Sequence, residues 1–480
     1  MFYFINTNFQ LLIICPFSDF DSTNKIQLST FPTLFPGGIG DLYNEKRGEM
    51  KNDTEWANHL LRFFDGRFEC HKIWSLYTVN WMTRRNTNKM GGFFLQKFLG
   101  STPPTAEELK ERIKNGDTSF ISKLQHFSSS IRGSPSFWRQ QRQHLLTWMN
   151  YHAEQQNGPP TLFLTFSCAE NHWSDLADIL AGRVRVYDTV LADKVDERDF
   201  TAMSQAARDH PLVVAEYFQK RLEAWLDTVG KRVFKIKHYW GAYEFAKGRG
   251  VIHIHLLAIA DNMSIMRKYY ELRNDKAAQL EHISDYARKQ LFMTAEHPSD
   301  GNKKDIAAPE GTALKEEYMQ SLKSSYSGCI SVDTDCKNLI NSCGMHFCGE
   351  YCLRKPVKTR KVDQTCHCCR FGFGTESKAG NEDTAGKEFT DCDKITIDSN
   401  GIKRLELKRS GSKRMNQLST IQLQSWRANC DVQLLLYDSD PYNPDLSEFI
   451  KVVDYVVSYI TKGNIGYLTE QKIMKGMIEK

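Results

Sequence analysis

No run of roughly 18 consecutive apolar residues occurs in the 480-residue sequence, so no helix able to cross a bilayer is expected. No G-x-x-x-x-G-K-[ST] stretch is present either, which excludes a P-loop motor. Internal repeats are absent. The opening MFYFINTNFQLLIICPF is apolar but has no basic n-region and no small-residue cleavage site, so it reads as a strand-like or abruptly begun segment and not as a signal peptide. Charge of one sign is scarce: 63 Lys and Arg against 58 Asp and Glu leave +5, too little alone to indicate nucleic acid. A disulfide framework is also missing. The 13 cysteines are odd in number and most lie between Cys329 and Cys392, a distribution that suits metal binding in a reducing compartment.

What remains is the composition of a soluble globular protein, 41% hydrophobic and 25% charged, long enough for two or three domains. Two local basic runs, KRVFKIKH (231–238) and IKRLELKRSGSKR (402–414), suit a phosphate-facing surface or an ordinary solvated one. The chain to about Gly133 reads as largely helical, with a turn-rich FPTLFPGGIGD near its start. Residues 134–158 carry a serine N-cap and helical spacing, and PPTLFLTFSCAENHW reads as a buried strand. PLVVAEYFQKRLEAWLDTV (211–229) is an amphipathic helix, and 263–293 is helical again. The stretches 297–311 and 375–401 are polar and read as loops or insertions, and QLQSWRANCDVQLLLYD reads as a strand. In NPDLSEFIKVVDYVVSYITKGN, Asn443 or Asp445 caps a helix, Glu448 suits a capping box and Gly463 ends it.

The stretch GRGVIHIHLLAIAD places two histidines one residue apart in an apolar strand. Alternation puts His253 and His255 on one face and Ile254 on the other. A buried, hydrogen-bonded pair and a shared metal ion both satisfy them. With KGRG as the turn of a hairpin, counting back along both arms sets Glu244 directly opposite His253, on the same face. One carboxylate and two imidazoles form a three-ligand site with open positions for Mg²⁺ or Mn²⁺ and a phosphate oxygen. The alternative for Glu244 is a surface carboxylate near the basic turn. Tyr455 and Tyr459 lie one turn apart on the last helix, where a phenol can attack a phosphodiester and store the bond energy as a phosphotyrosine. Aromatic packing is the competing role. A separate stripe of Phe449, Val453, Val456, Val457 and Ile460 offers the core contacts in their place. The expected fold is α+β: an antiparallel central sheet with H-x-H on an inner strand and helices on one face.

FLTFSC, the H-x-H strand and paired tyrosines on a late helix together resemble the HUH endonucleases of rolling-circle replication and transposition. The likeness is greatest to Helitron transposases, in their helicase-like N-terminal domain. It extends over FPTLFPGGIGDL, GRFECHKIWSLYTVNWMTRR, GSPSFWRQQ, YEFAKGRGVIHIHLLAIAD, HFCGEYCLR, CRFGFG, SWRANCDVQ and YVVSYITKG, in the family's order. The resemblance implies an HUH-like sheet in which His253 and His255 bind metal with Glu244 as third ligand. It implies that Tyr455 and Tyr459 cut single-stranded DNA at transposon ends and become linked to its 5′ phosphate, in the nucleus. On that basis 1–133 is a mostly helical N-terminal region, 134–295 the first part of the catalytic domain, 296–401 an insertion and 402–480 the last part. Three departures stand out. Ser458 replaces the lysine often found before the second tyrosine, with Lys462 one turn on; the turn before H-x-H is one residue longer; and the helicase domain of full-length relatives does not follow within this chain. The intact metal and tyrosine residues favour activity, while Ser458 and the missing helicase domain favour the alternative of a domesticated or inactive transposon remnant that binds DNA.

His346, Cys348, Cys352 and Cys369 give four ligands in the range for a structural Zn²⁺, with Cys343, Cys366, His367 and Cys368 as nearby alternatives. A four-ligand site leaves no open position, so its expected role is to fix the inserted segment. The family's H-x-C…C…CRFGF pattern has the same form. A hydrolase using a metal-bound water is a further alternative; it explains H-x-H but not the paired tyrosines.

Overall fold

The structure is a computed structural model that describes residues 25–43, 52–71, 73–85, 135–245, 251–298, 323–346, 390–398, 400–412 and 414–461, together with 111, 115 and 321. The chain divides into two compact units. One comprises residues 1–132 with 208–212, and the other 133–207 with 213–480.

The described part of the first unit is helical. Short turns at Ile26–Thr30, Pro32–Leu34 and Pro36–Gly38 precede helix α1 (Asp53–Leu61) and helix α2 (74–85). Asn52 caps α1 by accepting from the Glu55 amide at 2.7 Å, and the His71 ring nitrogen accepts the Trp74 amide at 3.1 Å where α2 begins. The core is aromatic: Phe31, Phe35, Trp56, Phe68, Trp74 and Trp81 are all buried, and most of their ring contacts are edge-to-face. Beneath it the His210 ring meets the Glu69 carboxylate at 3.1 Å, with both side chains 1% exposed.

The second unit is built on a six-stranded antiparallel sheet. Its strands are β1 (Leu162–Ser167), β2 (Ile236–Phe245), β3 (Ile252–Ala260), β5 (Lys394–Ile397), β6 (Lys403–Glu406) and β9 (Cys430–Leu436), in the order β2-β3-β1-β9-β6-β5. A small second sheet joins β4 (Met293–Glu296), β7 (Arg409–Ser410) and β8 (Leu418–Ser419). The H-x-H strand β3 is an inner strand, as its apolar run requires.

Helices cover both faces of the main sheet, where cover on one face was expected. On one side Leu162, Leu164, Phe166, Ile254, Leu256, Val432 and Leu434 pack beneath α4 (Ser174–Val184), α5 (Thr189–Asp196), α6 (Phe200–Asp209), α7 (Pro211–Trp225), α8 (Met263–Glu271) and α9 (Lys276–Lys289). On the other, Phe163, Leu257 and Leu435 pack against α3 (Pro135–Glu154) and α12 (Leu446–Thr461). The reason is legible in β1 and β3. Both strands are wholly apolar on the face of Leu162 and Ile254, and their opposite face, though it carries the histidines and Thr165, still holds Phe163 and Leu257, which need cover of their own.

Three further expectations are corrected. QLQSW is not strand but helix: after α10 (Val332–Leu339) it forms α11 (Thr420–Trp426), which Ser419 caps by accepting the Gln422 amide and Arg427 in the left-handed region ends before β9. KITI, within a stretch read as loop, is β5 and closes the sheet edge by pairing with β6. Glu448 does not close a capping box: its carboxylate instead accepts from the Asp438 and Ser439 amides in the loop after β9. The basic runs are also partly neutralised, with Lys231 on Asp227, Lys237 on Asp261 and Lys408 on Glu296. Gly241 sits where a side chain would collide with its neighbour. A Cβ on Gly241 of β2 would lie 2.3 Å from Leu256 Cδ2 across the hairpin.

Candidate active site

The hairpin register sets Glu244 opposite His253 and Ala242 opposite His255, the pairing obtained by counting back from the turn. Residues 246–250 of that turn lie outside the described residues. Ile252, Ile254 and Leu256 point into the larger core, so the alternation leaves both imidazoles on the opposite face. There Glu244 Oε2 accepts from His253 Nε2 at 3.2 Å and from His255 Nε2 at 3.3 Å. His255 is buried at 6% exposure, while Glu244 and His253 are half-buried. The ligand atoms of the three residues lie within 4.8 Å of one another, and among the described residues no other His, Cys, Asp or Glu group comes together this way. Burial pushes the Glu244 carboxyl up, but the two imidazoles outweigh it and hold it down at about 2. It is therefore ionised at neutral pH.

The rings are held on their strand by neighbours. His253 and His255 meet edge to face at 5.1 Å. Phe163 of β1 stacks on His255 with centroids 5.6 Å apart and planes 8° from parallel. Thr165, two residues on and on the same face, places Oγ1 3.0 Å from His255 Nδ1.

Tyr455 lies on the side of α12 turned toward this face of the sheet. Its ring is edge-on to Phe163 at 5.4 Å, so Phe163 touches both Tyr455 and His255. The Arg404 guanidinium sits 4.4 Å from the Tyr455 ring centre, and the hydroxyl donates to Gln433 Oε1 at 3.3 Å. Gln433 in turn donates through Nε2 to Asp431 Oδ2 at 2.7 Å. The expectation that an apolar stripe frees the tyrosines from the core does not hold for Tyr455. It is 2% exposed and belongs to the same cluster as Phe449, Val452, Val453 and Val456. The helix is enclosed by the sheet and by α3, so its buried arc is wider than the stripe and includes position 455. The side chains of Ser458, Tyr459 and Ile460, and all of Lys462, lie outside the described residues.

Residues 56–258 match the family model of the Helitron helicase-like domain at the N-terminus. The match supports a Helitron-related protein. It spans the β1 strand and the whole Glu244–His253–His255 trio but ends before α12. No curated protein and no solved structure matches the chain. A Helitron-like domain points to a transposon-related function and to interaction with DNA. Among the described residues, no helix is long and apolar enough to cross a membrane.

The expected zinc ligands fall mainly outside the described residues: of His346, Cys348, Cys352 and Cys369, only His346 is described, and Cys366, His367 and Cys368 are not. Cys343 is described. It packs with Cys336 and Cys430 against the cluster of Leu339, Ile340, Met415 and Leu418, and burial pushes its thiol up. The site also contains residues that were not anticipated: Phe163, Thr165, Asp431, Gln433 and Arg404. The alternation of LFLTFS signals that Phe163 and Thr165 share a face, but not which strand lies beside them.

Proposed function

We propose that the chain is a Helitron-like rolling-circle transposition endonuclease, which nicks single-stranded DNA and transfers the strand through a 5′-phosphotyrosine. The observation that carries this reading is the convergence of Glu244, His253 and His255 on the sheet face against which the Tyr455 helix packs. An ionised carboxylate and two imidazole nitrogens suit Mg²⁺ or Mn²⁺, with positions left open for a phosphate oxygen. An ion held there supplies Lewis-acid stabilisation of the charge that develops on the phosphate.

The chain's own groups supply the rest. Glu244 brings the negative charge, and the two Nε2 atoms complete a one-sided donor set facing the phosphate. The phenol oxygen of Tyr455 or Tyr459 bonds to phosphorus as the bond to the 3′ oxygen breaks. The phenol loses its proton, the 3′ oxygen gains one, and the 5′ phosphate stays esterified to the tyrosine. Two tyrosines one turn apart let one hold a cut strand while the other attacks the next phosphodiester. Lys462 is assigned the task of favouring proton loss, which Ser458 cannot perform. A structural Zn²⁺ on His346, Cys348, Cys352 and Cys369 fits the spacing of those residues and would fix the inserted segment.

A second reading, a DNA-binding module without turnover, is favoured by one observation: the Tyr455 hydroxyl rests on Gln433, with Phe163 between its ring and His255. Incubating the full chain with single-stranded oligonucleotides and Mn²⁺, then running a denaturing gel, separates the two. An adduct that disappears in His255→Ala supports the nuclease. Oligonucleotide binding with no adduct supports the module.

A further inference from the structure

The geometry points to Thr165 as a positioning residue that fixes His255 for metal binding, an inference that rests on the metal-site reading above. The His255 ring is constrained from two sides by same-face residues of β1. Phe163 lies parallel to its face, and the Thr165 hydroxyl meets Nδ1 at 3.0 Å while Nε2 is directed at Glu244. The stacked face and the hydrogen-bonded edge together settle both the tilt of the ring and which nitrogen points at the trio.

Thr165 is itself well anchored. Its backbone is paired with His255 on one side and with Asp431 on the other, and its carbonyl accepts from the buried Gln422 amide at 3.4 Å. Its β-branched side chain has little χ1 freedom on a strand, so the hydroxyl is delivered to one place. A hydroxyl also has a property no carboxylate or ammonium shares: it can donate or accept. With Nε2–H directed at Glu244, Thr165 donates to Nδ1. When Nε2 gives its lone pair to an ion, the ring proton moves to Nδ1 and Thr165 accepts it. The same side chain therefore satisfies His255 with and without metal, and the ring need not turn. Loss of such a partner typically weakens metal binding by about 10- to 100-fold.

The test compares Thr165→Val, which keeps the β-branched shape, with Thr165→Ser, which keeps the hydroxyl. Mn²⁺ is titrated calorimetrically into the full chain, and circular dichroism checks the fold of each variant. Thr165→Val should bind Mn²⁺ about 10- to 100-fold more weakly, and Thr165→Ser within a few-fold of wild type. Equal affinity in Thr165→Val and wild type overturns the inference. A second readout does not depend on metal: ¹⁵N spectra of the histidine ring nitrogens in metal-free protein. Thr165→Val should shift the His255 Nδ1 resonance and Thr165→Ser should restore it. If wild type binds no Mn²⁺, the metal-site reading falls, and an Nδ1 resonance unmoved by Thr165→Val then overturns the positioning role as well.

Discussion

Replacing Tyr455 with phenylalanine removes one oxygen and little else. The ring keeps its contacts with Phe163 and Arg404, and the core cluster keeps its volume. The hydrogen bond to Gln433, long at 3.3 Å, is lost. A neutral hydrogen bond contributes about 0.5–1.5 kcal/mol, and its length places this one toward the lower end. Gln433 is only partly buried, so its freed oxygen can recover water. Thermal denaturation should then shift by no more than about 2–4 °C. Tyr455→Ala, which empties a buried ring site, should cost about 3–5 kcal/mol. Against that small stability change, the yield of protein–DNA adduct in Mn²⁺ should fall markedly in Tyr455→Phe. A loss of about 3 kcal/mol in Tyr455→Phe would show that the hydroxyl holds the fold together in a way not accounted for here. An unchanged adduct yield would refute the chemical role given to this tyrosine.

His255→Ala should abolish metal-dependent cleavage with the fold retained, read by adduct gel and circular dichroism; unchanged cleavage would make the histidines structural. Ser458→Lys should speed adduct formation in single-turnover time courses, since a cation beside the second tyrosine favours the phenolate. Asp335→Ala should cost about 3–5 kcal/mol in urea unfolding, because Arg427, 1% exposed, loses a bidentate partner held at 2.7 and 2.8 Å. In the first unit, burial lowers His210, but hydrogen bonds to Cys70 and Glu69 outweigh it and raise it to about 9. A raised histidine stabilises the fold fully below about 6.5, its unfolded value, and that contribution is lost as pH rises through about 9. Melting temperature should therefore fall over that window, and His210→Gln should flatten the slope.

The hairpin was legible because its information is local. A turn signal and two alternating arms fix the register, so Glu244, His253 and His255 can be brought together by counting. The α11 signal is local too: Ser419 and Gln422 stand in capping-box spacing at the start of the helix, although the strand-like CDVQLLL that follows masks it. The rest of the site depends on pairings that no local rule supplies. β9 lies beside β1 although the two are far apart in sequence, and only that pairing brings Asp431 next to Thr165 and Gln433 beneath Tyr455. The burial of Tyr455 escapes helical spacing for a related reason. A stripe can be read from helical spacing, but the width of the buried arc is set by what encloses the helix, here the sheet on one side and α3 on the other.

Mapping the covalent adduct tests the central claim most directly. The full chain is incubated with a single-stranded oligonucleotide and Mn²⁺, digested, and its nucleotide-bearing peptide sequenced by mass spectrometry. The account predicts a 5′-phosphate ester on Tyr455 or Tyr459, formed only with metal and absent when both are phenylalanine. An adduct on any other residue, or one that survives the double substitution, would contradict it.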